Sequence, residues 1–139
     1  MGRLAMAADE LDAFLAEERV LRLATLDADG WPAVVPVWFV WHAGAFWVWN
    51  LERAKRTRRL REGTRCAFVV DGGREYGELR GVSGRATYAF VPDDDVPLAV
   101  RTGFSRRYFG VDEPLPPADH HAWLRLDPLA PATWDFRKL

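Results

Sequence analysis

The chain has 139 residues, within the range of one domain built around one core. Nineteen basic residues against twenty acidic give a formal net charge of −1, which argues against a general nucleic-acid footprint, and no run approaches the ~18 apolar residues of a membrane span. Cys66 is the only cysteine, so neither an intrachain disulfide nor a cysteine metal cluster can form, and with no secretory pattern in Met1–Glu10 the expected compartment is the cytoplasm.

In chain order, Leu11, Phe14 and Leu15 recur at helical spacing between charges, which predicts a short amphipathic helix within residues 1–19 with Asp9 as its N-cap. Residues 20–26 read as a strand, and Asp27-Ala28-Asp29-Gly30 as a turn. Residues 33–41 form the second predicted strand. It is apolar on both faces, with Ala33, Val35, Val37, Phe39 and Trp41 on one and Val34, Trp38 and Val40 on the other. A strand of that kind has the core on one side and a dimer partner or cofactor on the other. Pro32 and Pro36 lack an amide proton, which leaves part of the edge unladdered.

A turn at His42–Ala45 leads to a strand over 46–51, a helix over 55–62 stopped by Gly63, and a strand over 66–71. A long strand over 78–91 carries Gly81 and Gly84, which predict a bulge or bend. Asp93-Asp94-Asp95 opens a helix reaching Tyr108. A proline-containing linker over 110–119 precedes final strands at 122–127 and 133–136. Antiparallel strands joined by hairpin turns, with few helices, make the chain mainly β and predict a small barrel spanning 1–139. The aromatic content supplies bulk for it. Trp31, Trp38, Trp41, Trp47, Trp123 and Trp134 are assigned to core and interface. Cys66, in an apolar run, is read as a core residue rather than a nucleophile.

The chemistry concentrates at one junction. The aromatic strand Phe46-Trp47-Val48-Trp49-Asn50 runs into a segment in which seven of the thirteen residues from Arg53 to Arg65 are Lys or Arg. A helix N-terminus there offers free amides to an anion. Lys55 and Arg56 add full charges, Arg56 with a two-donor fork, and Thr57 adds a hydroxyl. The bland alternative is a solvated basic helix face. An anion site beside a flat apolar surface suits a phosphorylated aromatic cofactor. Three histidines with no carboxylates at ligand spacing give no metal site.

These segments resemble, in order, the pyridoxamine 5'-phosphate oxidase-like split barrels, in particular their flavin/deazaflavin oxidoreductase branch. The matching pieces are Leu21–Leu26 with Asp29-Gly30-Trp31-Pro32, Val35–Phe39, Phe46–Leu60, Arg65–Asp71, Gly81-Val82 with Gly84–Ala86, and Trp134–Lys138. The resemblance implies a six-stranded antiparallel split barrel of the FMN-binding type over 20–138, and a homodimer with a cofactor site at each interface. It implies FMN or coenzyme F420 as cofactor and hydride transfer to or from a small organic substrate. Residue by residue, Lys55 and Arg56 would hold the phosphate with Thr57 assisting, and Asn50 would lie near the ring or its side arm. Val35, Pro36 and Val37 would line the ring, and Trp49 would flank it. Asn50 and Trp49 stand where smaller hydroxyl residues are common. No counterpart of the C-terminal Arg/His substrate site of true pyridoxamine phosphate oxidases is present, which disfavours vitamin B6 oxidation. The catalytic residue is unknown: Tyr76, Tyr88, Tyr108 and the pair His120-His121, read as a surface strand start, are candidate proton donors, and His42 is assigned to an exposed turn. Two alternatives remain. One is a non-catalytic flavin- or haem-binding barrel, with His42, His120 or His121 as axial ligand. The other is a structural or regulatory dimer whose basic segment binds nucleic acid or another anion.

Overall fold

The computed structural model describes residues 2–117 and 119–139. Its strands are β1 (Leu21–Leu26), β2 (Pro32–Val37), β3 (Val40–His42), β4 (Ala45–Leu51), β5 (Cys66–Gly72), β6 (Arg80–Val91) and β7 (His121–Asp135). Its helices are α1 (Ala8–Glu17), α2 (Lys55–Glu62) and α3 (Leu98–Phe109). The strands form one curled antiparallel sheet in the order β2-β1-β5-β6-β7-β4-β3, a split barrel.

Strand periodicity fills the interior. Along β1, Leu21, Leu23 and Thr25 point inward while Arg22 and Leu26 face out. Phe46, Val48, Phe68, Val70, Leu124 and Leu126 join them, and α1 plugs the barrel with Phe14 and Leu15. A second apolar cluster lies on the other face of β4 and β7, where Trp47 and Trp123 meet Val100 and Phe104 of α3.

The sheet has seven strands, not six. Residues 33–41 do not form one strand; they break into β2 and β3 around Trp38 and Phe39. The strand buried on both faces is β4, because α3 covers it. β2 stays open outside, with Val34 exposed, and Trp38 just beyond it is half-exposed. The two final strands predicted separately are one continuous β7. It absorbs an irregularity opposite Ser83–Arg85, with Ala130 at φ 40°.

Three helix ends differ from expectation. Ala7, not Asp9, precedes α1, and its amide donates to Glu10 Oε1 at 3.0 Å. The acidic run Asp93–Asp95 forms a separate 3-10 turn. Pro97 holds Val96 extended, so α3 starts only at Leu98. Gly63 stops α2 in an extended rather than left-handed conformation, φ −103°. The Tyr88 hydroxyl closes that end, shared between Leu60 O at 2.5 Å and Gly63 O at 2.6 Å. The β3–β4 hairpin turns on Ala43 and Gly44, both at positive φ, the two-residue geometry that matches strand twist.

Candidate functional site

β4 delivers Asn50 inward at the bottom of the barrel, with no solvent exposure. A buried amide must find partners. Its Nδ2 donates to Thr57 Oγ1 at 2.5 Å, and that hydroxyl donates to Leu51 O at 2.5 Å. Its Oδ1 accepts from Arg56 Nε at 2.7 Å. One buried asparagine therefore ties the end of β4 to the first turn of α2 and fixes the Arg56 guanidinium by a charge-assisted bond. Burial pushes the Arg56 pKa down from its ordinary value, but a guanidinium remains charged at any relevant pH. Among the described residues, its two terminal nitrogens have no protein partner.

The first turn of α2 reinforces this arrangement. The amides of Lys55 and Arg56 precede the first intrahelical donor, and the N-cap, Ala54, has no side chain to satisfy them. The turn contains no acidic residue. Basic side chains at a helix N-terminus oppose its dipole. Lys55 and Arg56 therefore lie where an isolated helix favours carboxylates, a placement that suits an anion bound between them.

Arg56 faces a cleft of about 560 Å³ whose lining is mostly apolar. Pro36 and Val37 of β2 and Val48 of β4 form one side. Trp38, Phe104 and Phe109 form an aromatic wall in which Trp38 stacks on Tyr108, centroids 4.4 Å apart and planes 11° apart. Trp49 meets Phe104 edge-on, centroids 5.9 Å apart, and stacks on His121 at 3.8 Å and 14°. Burial depresses the His121 pKa, and the neighbouring His120 adds to the effect. Its Nδ1 is buried with no hydrogen-bond partner among the described residues.

Of the residues expected at the site, Pro36, Val37, Trp49 and Arg56 line this cleft. Asn50 and Thr57 lie buried behind Arg56. Lys55 is exposed at the start of α2. Val35 turns into the barrel, packs against its core and does not line the cleft. Phe104 and Phe109 also line the cleft and were not foreseen, while Trp38, expected on a face meeting a partner or cofactor, and His121, expected as a candidate proton donor or haem ligand, line it too. The two phenylalanines depend on α3 folding back over β4, which no local pattern signals. His121 does start a strand as expected, but it is half-buried against Trp49 rather than on the surface.

The tyrosines have other work. The Tyr108 hydroxyl accepts from Phe39 N at 3.0 Å and lies 2.8 Å from both Arg19 O and Phe39 O. Tyr76 is exposed against Phe136. His42 ends β3, half-buried, rather than in a turn. Cys66 is buried, and burial pushes its thiol up to about 11, in keeping with a core role. Among the described residues no cluster of His, Cys, Asp and Glu could hold a metal ion, and no helix is long and apolar enough to cross a membrane.

A family model described as pyridoxamine 5'-phosphate oxidase matches residues 7–135. The chain belongs to this family. No curated protein matches it. Among solved structures, the conserved hypothetical protein Rv2991 of Mycobacterium tuberculosis superposes with a TM-score of 0.86 at 24% identity, over 99% of this chain and 90% of that one. A protein described as an F420 reductase gives 0.66 at 25% identity, over 86% of this chain and 94% of that one. The haem storage protein HutZ of Vibrio cholerae gives 0.69 at 21% identity, over 88% and 89%. The pyridoxamine 5'-phosphate oxidase fold thus carries proteins described by different ligands, and the residues of the cleft must separate them.

Proposed function

We propose that this member of the family is an oxidoreductase that binds FMN or coenzyme F420 in the Arg56 cleft and exchanges hydride with a small organic substrate. The observation that carries the reading is Arg56: a guanidinium fixed through Asn50, with two unpartnered nitrogens, at the edge of an aromatic cleft and beside the free amides of α2. A planar ring with a phosphate arm fits this chemistry. Arg56 and Lys55 would hold the phosphate, Asn50 and Thr57 would keep Arg56 aimed, and Trp49 with Pro36 and Val37 would flank the ring. When bound, the cofactor supplies the hydride. The chain supplies the walls that exclude water and fix the ring's orientation.

The open outer face of the sheet supports a homodimer. Leu26, Val34 and Leu129 are exposed there. A groove of about 590 Å³ crosses β1, β5 and β6 between Leu26 and Leu129. A second copy would cover this face and complete the cleft. The lone buried thiol is compatible with a cytoplasmic setting.

The test is a parallel titration of purified apo-protein with FMN and with coenzyme F420, followed by tryptophan quenching. Saturable binding of one of them, weakened about tenfold or more in Arg56→Ala, supports the reading. Unchanged affinity in the Lys55→Ala/Arg56→Ala double variant refutes the site assignment. His121 in the cleft favours one second reading, a non-catalytic haem binder with an imidazole ligand. Haemin binding with a Soret shift abolished in His121→Ala, in a protein that retains neither FMN nor F420, would establish it.

A further inference from the structure

His121 lines two cavities. On one side is the Arg56 cleft. On the other is a shallower pocket of about 280 Å³ formed with Arg61, Phe90, Asp93 and Trp123. In the β4–β7 ladder His121 pairs with Leu51, the last residue before the turn into α2, so it stands at the same end of the cleft as the helix N-terminus. Its ring is held flat against Trp49. With Nδ1 buried and unpartnered, only Nε2 is left to meet a ligand.

Building on the cofactor reading above, we propose that His121 is a second anion contact of the cleft: it meets the phosphate that Arg56 holds, and does so most strongly as imidazolium. Protonation places a second N–H in a buried setting and a charge beside cations, which is unfavourable until an anion enters. The charged and titratable groups around it are Arg56 and Arg61 of α2, Asp93 of the turn after β6, His120 on its own strand, and Glu52, which pairs with Arg61 at 2.9 Å and donates its amide to His120 O. β4 presents Val48, Trp49 and Leu51 to the cleft, and α3 Phe104 and Phe109, none of them charged. Asp93 and Glu52 are the acids among these groups, and together they offset the two arginines. A bound phosphate therefore makes the local balance of charge negative, and by linkage the ligand and the proton each favour the other's binding.

The experiment is a proton–carbon NMR titration of the His121 ring, assigned by its loss in His121→Gln, on the protein alone and saturated with FMN, with coenzyme F420 and with riboflavin. Affinities are measured in parallel at pH 5.5 and 7.5. With whichever phosphate-bearing cofactor binds, the His121 pKa should rise by about one unit, which corresponds to about tenfold tighter binding to the protonated protein. Wild type should gain up to that factor over His121→Gln on going to the lower pH, a comparison that cancels the ligand's own titration. Riboflavin, lacking the phosphate, should move the pKa little. An unmoved pKa in a saturated complex, or an equal shift with riboflavin, overturns the inference and leaves the cofactor reading standing. Failure of both FMN and F420 to bind wild type overturns the cofactor reading and this inference with it.

Discussion

Asn50→Ala removes the side chain on which the site is built. Two hydrogen bonds go with it: the Nδ2–Thr57 bond at 2.5 Å and the charge-assisted Arg56 Nε–Oδ1 bond at 2.7 Å. A neutral bond contributes about 1 kcal/mol net and one to a charged group about 1.5–3 kcal/mol. Thr57 keeps its own bond to Leu51 O, so only the Arg56 nitrogen is left unpaired. The loss should total roughly 2–4 kcal/mol, which for a chain of this size lowers the melting temperature by roughly 6–15 °C. Differential scanning calorimetry of the apo-protein measures it, with cofactor titration of the same sample. Asn50→Asp is the informative partner. A carboxylate keeps the Arg56 bond but loses the donor to Thr57 and places negative charge beside the anion site, so it should cost less stability than alanine and more affinity. If Asn50→Ala melts within about 2 °C of wild type and binds ligand equally well, the asparagine does not hold the site together and the account is wrong.

Three further outcomes follow from the packing and the titrating groups. A Cβ on Gly81 would lie 2.3 Å from Trp134 Cζ2 on the paired strand, so Gly81→Ala should cost about 1–3 kcal/mol in a urea melt; in the Gly81→Ala/Trp134→Ala double variant the two costs should fall short of additivity, and simple additivity would show the clash to be absent. Cys66, buried and with its thiol pushed up to about 11, should resist a thiol reagent at pH 8 in the folded protein and react at once in denaturant; rapid labelling of the native state would contradict the packing around β5. Because the folded-state pKa of His121 is depressed, its stabilising contribution is present above the unfolded value of about 6.5 and is lost as pH falls through the folded value. Apo wild type should therefore lose more melting temperature than His121→Gln between pH 7 and 5, and equal losses would count against the buried imidazole.

What could be read from the linear chain was whatever depends on near neighbours. Period-two burial marks β1 and β5, charge and helix formers mark α2 over residues 55–62, and Ala43-Gly44 marks a tight hairpin. The adjacency of Asn50, Lys55, Arg56 and Thr57 follows from a strand feeding directly into a helix, so these four residues were legible as a group before any packing was known. The hydrogen bonds that divide them into a buried tie (Asn50, Thr57) and a presented cation (Arg56) were not, because they depend on which face of β4 points into the barrel. The same holds for helix ends: the Tyr88 hydroxyl that closes α2 arrives from β6, 28 residues from Leu60.

The tertiary structure alone decided the aromatic half of the cleft. Phe104 and Phe109 reach it because Val100, Phe104 and Leu115 bury against Trp47 and Trp123, drawing α3 over β4. His121 reaches it because β7 pairs with β4 in a register that sets it opposite Leu51 and against Trp49. Neither fact has a local signal. Both follow from the apolar area that β4 exposes on its second face, and only long-range burial chooses what covers it. The basic end of the cleft is thus a property of contiguous residues, and its aromatic walls are a property of the curled sheet and the helix that covers it.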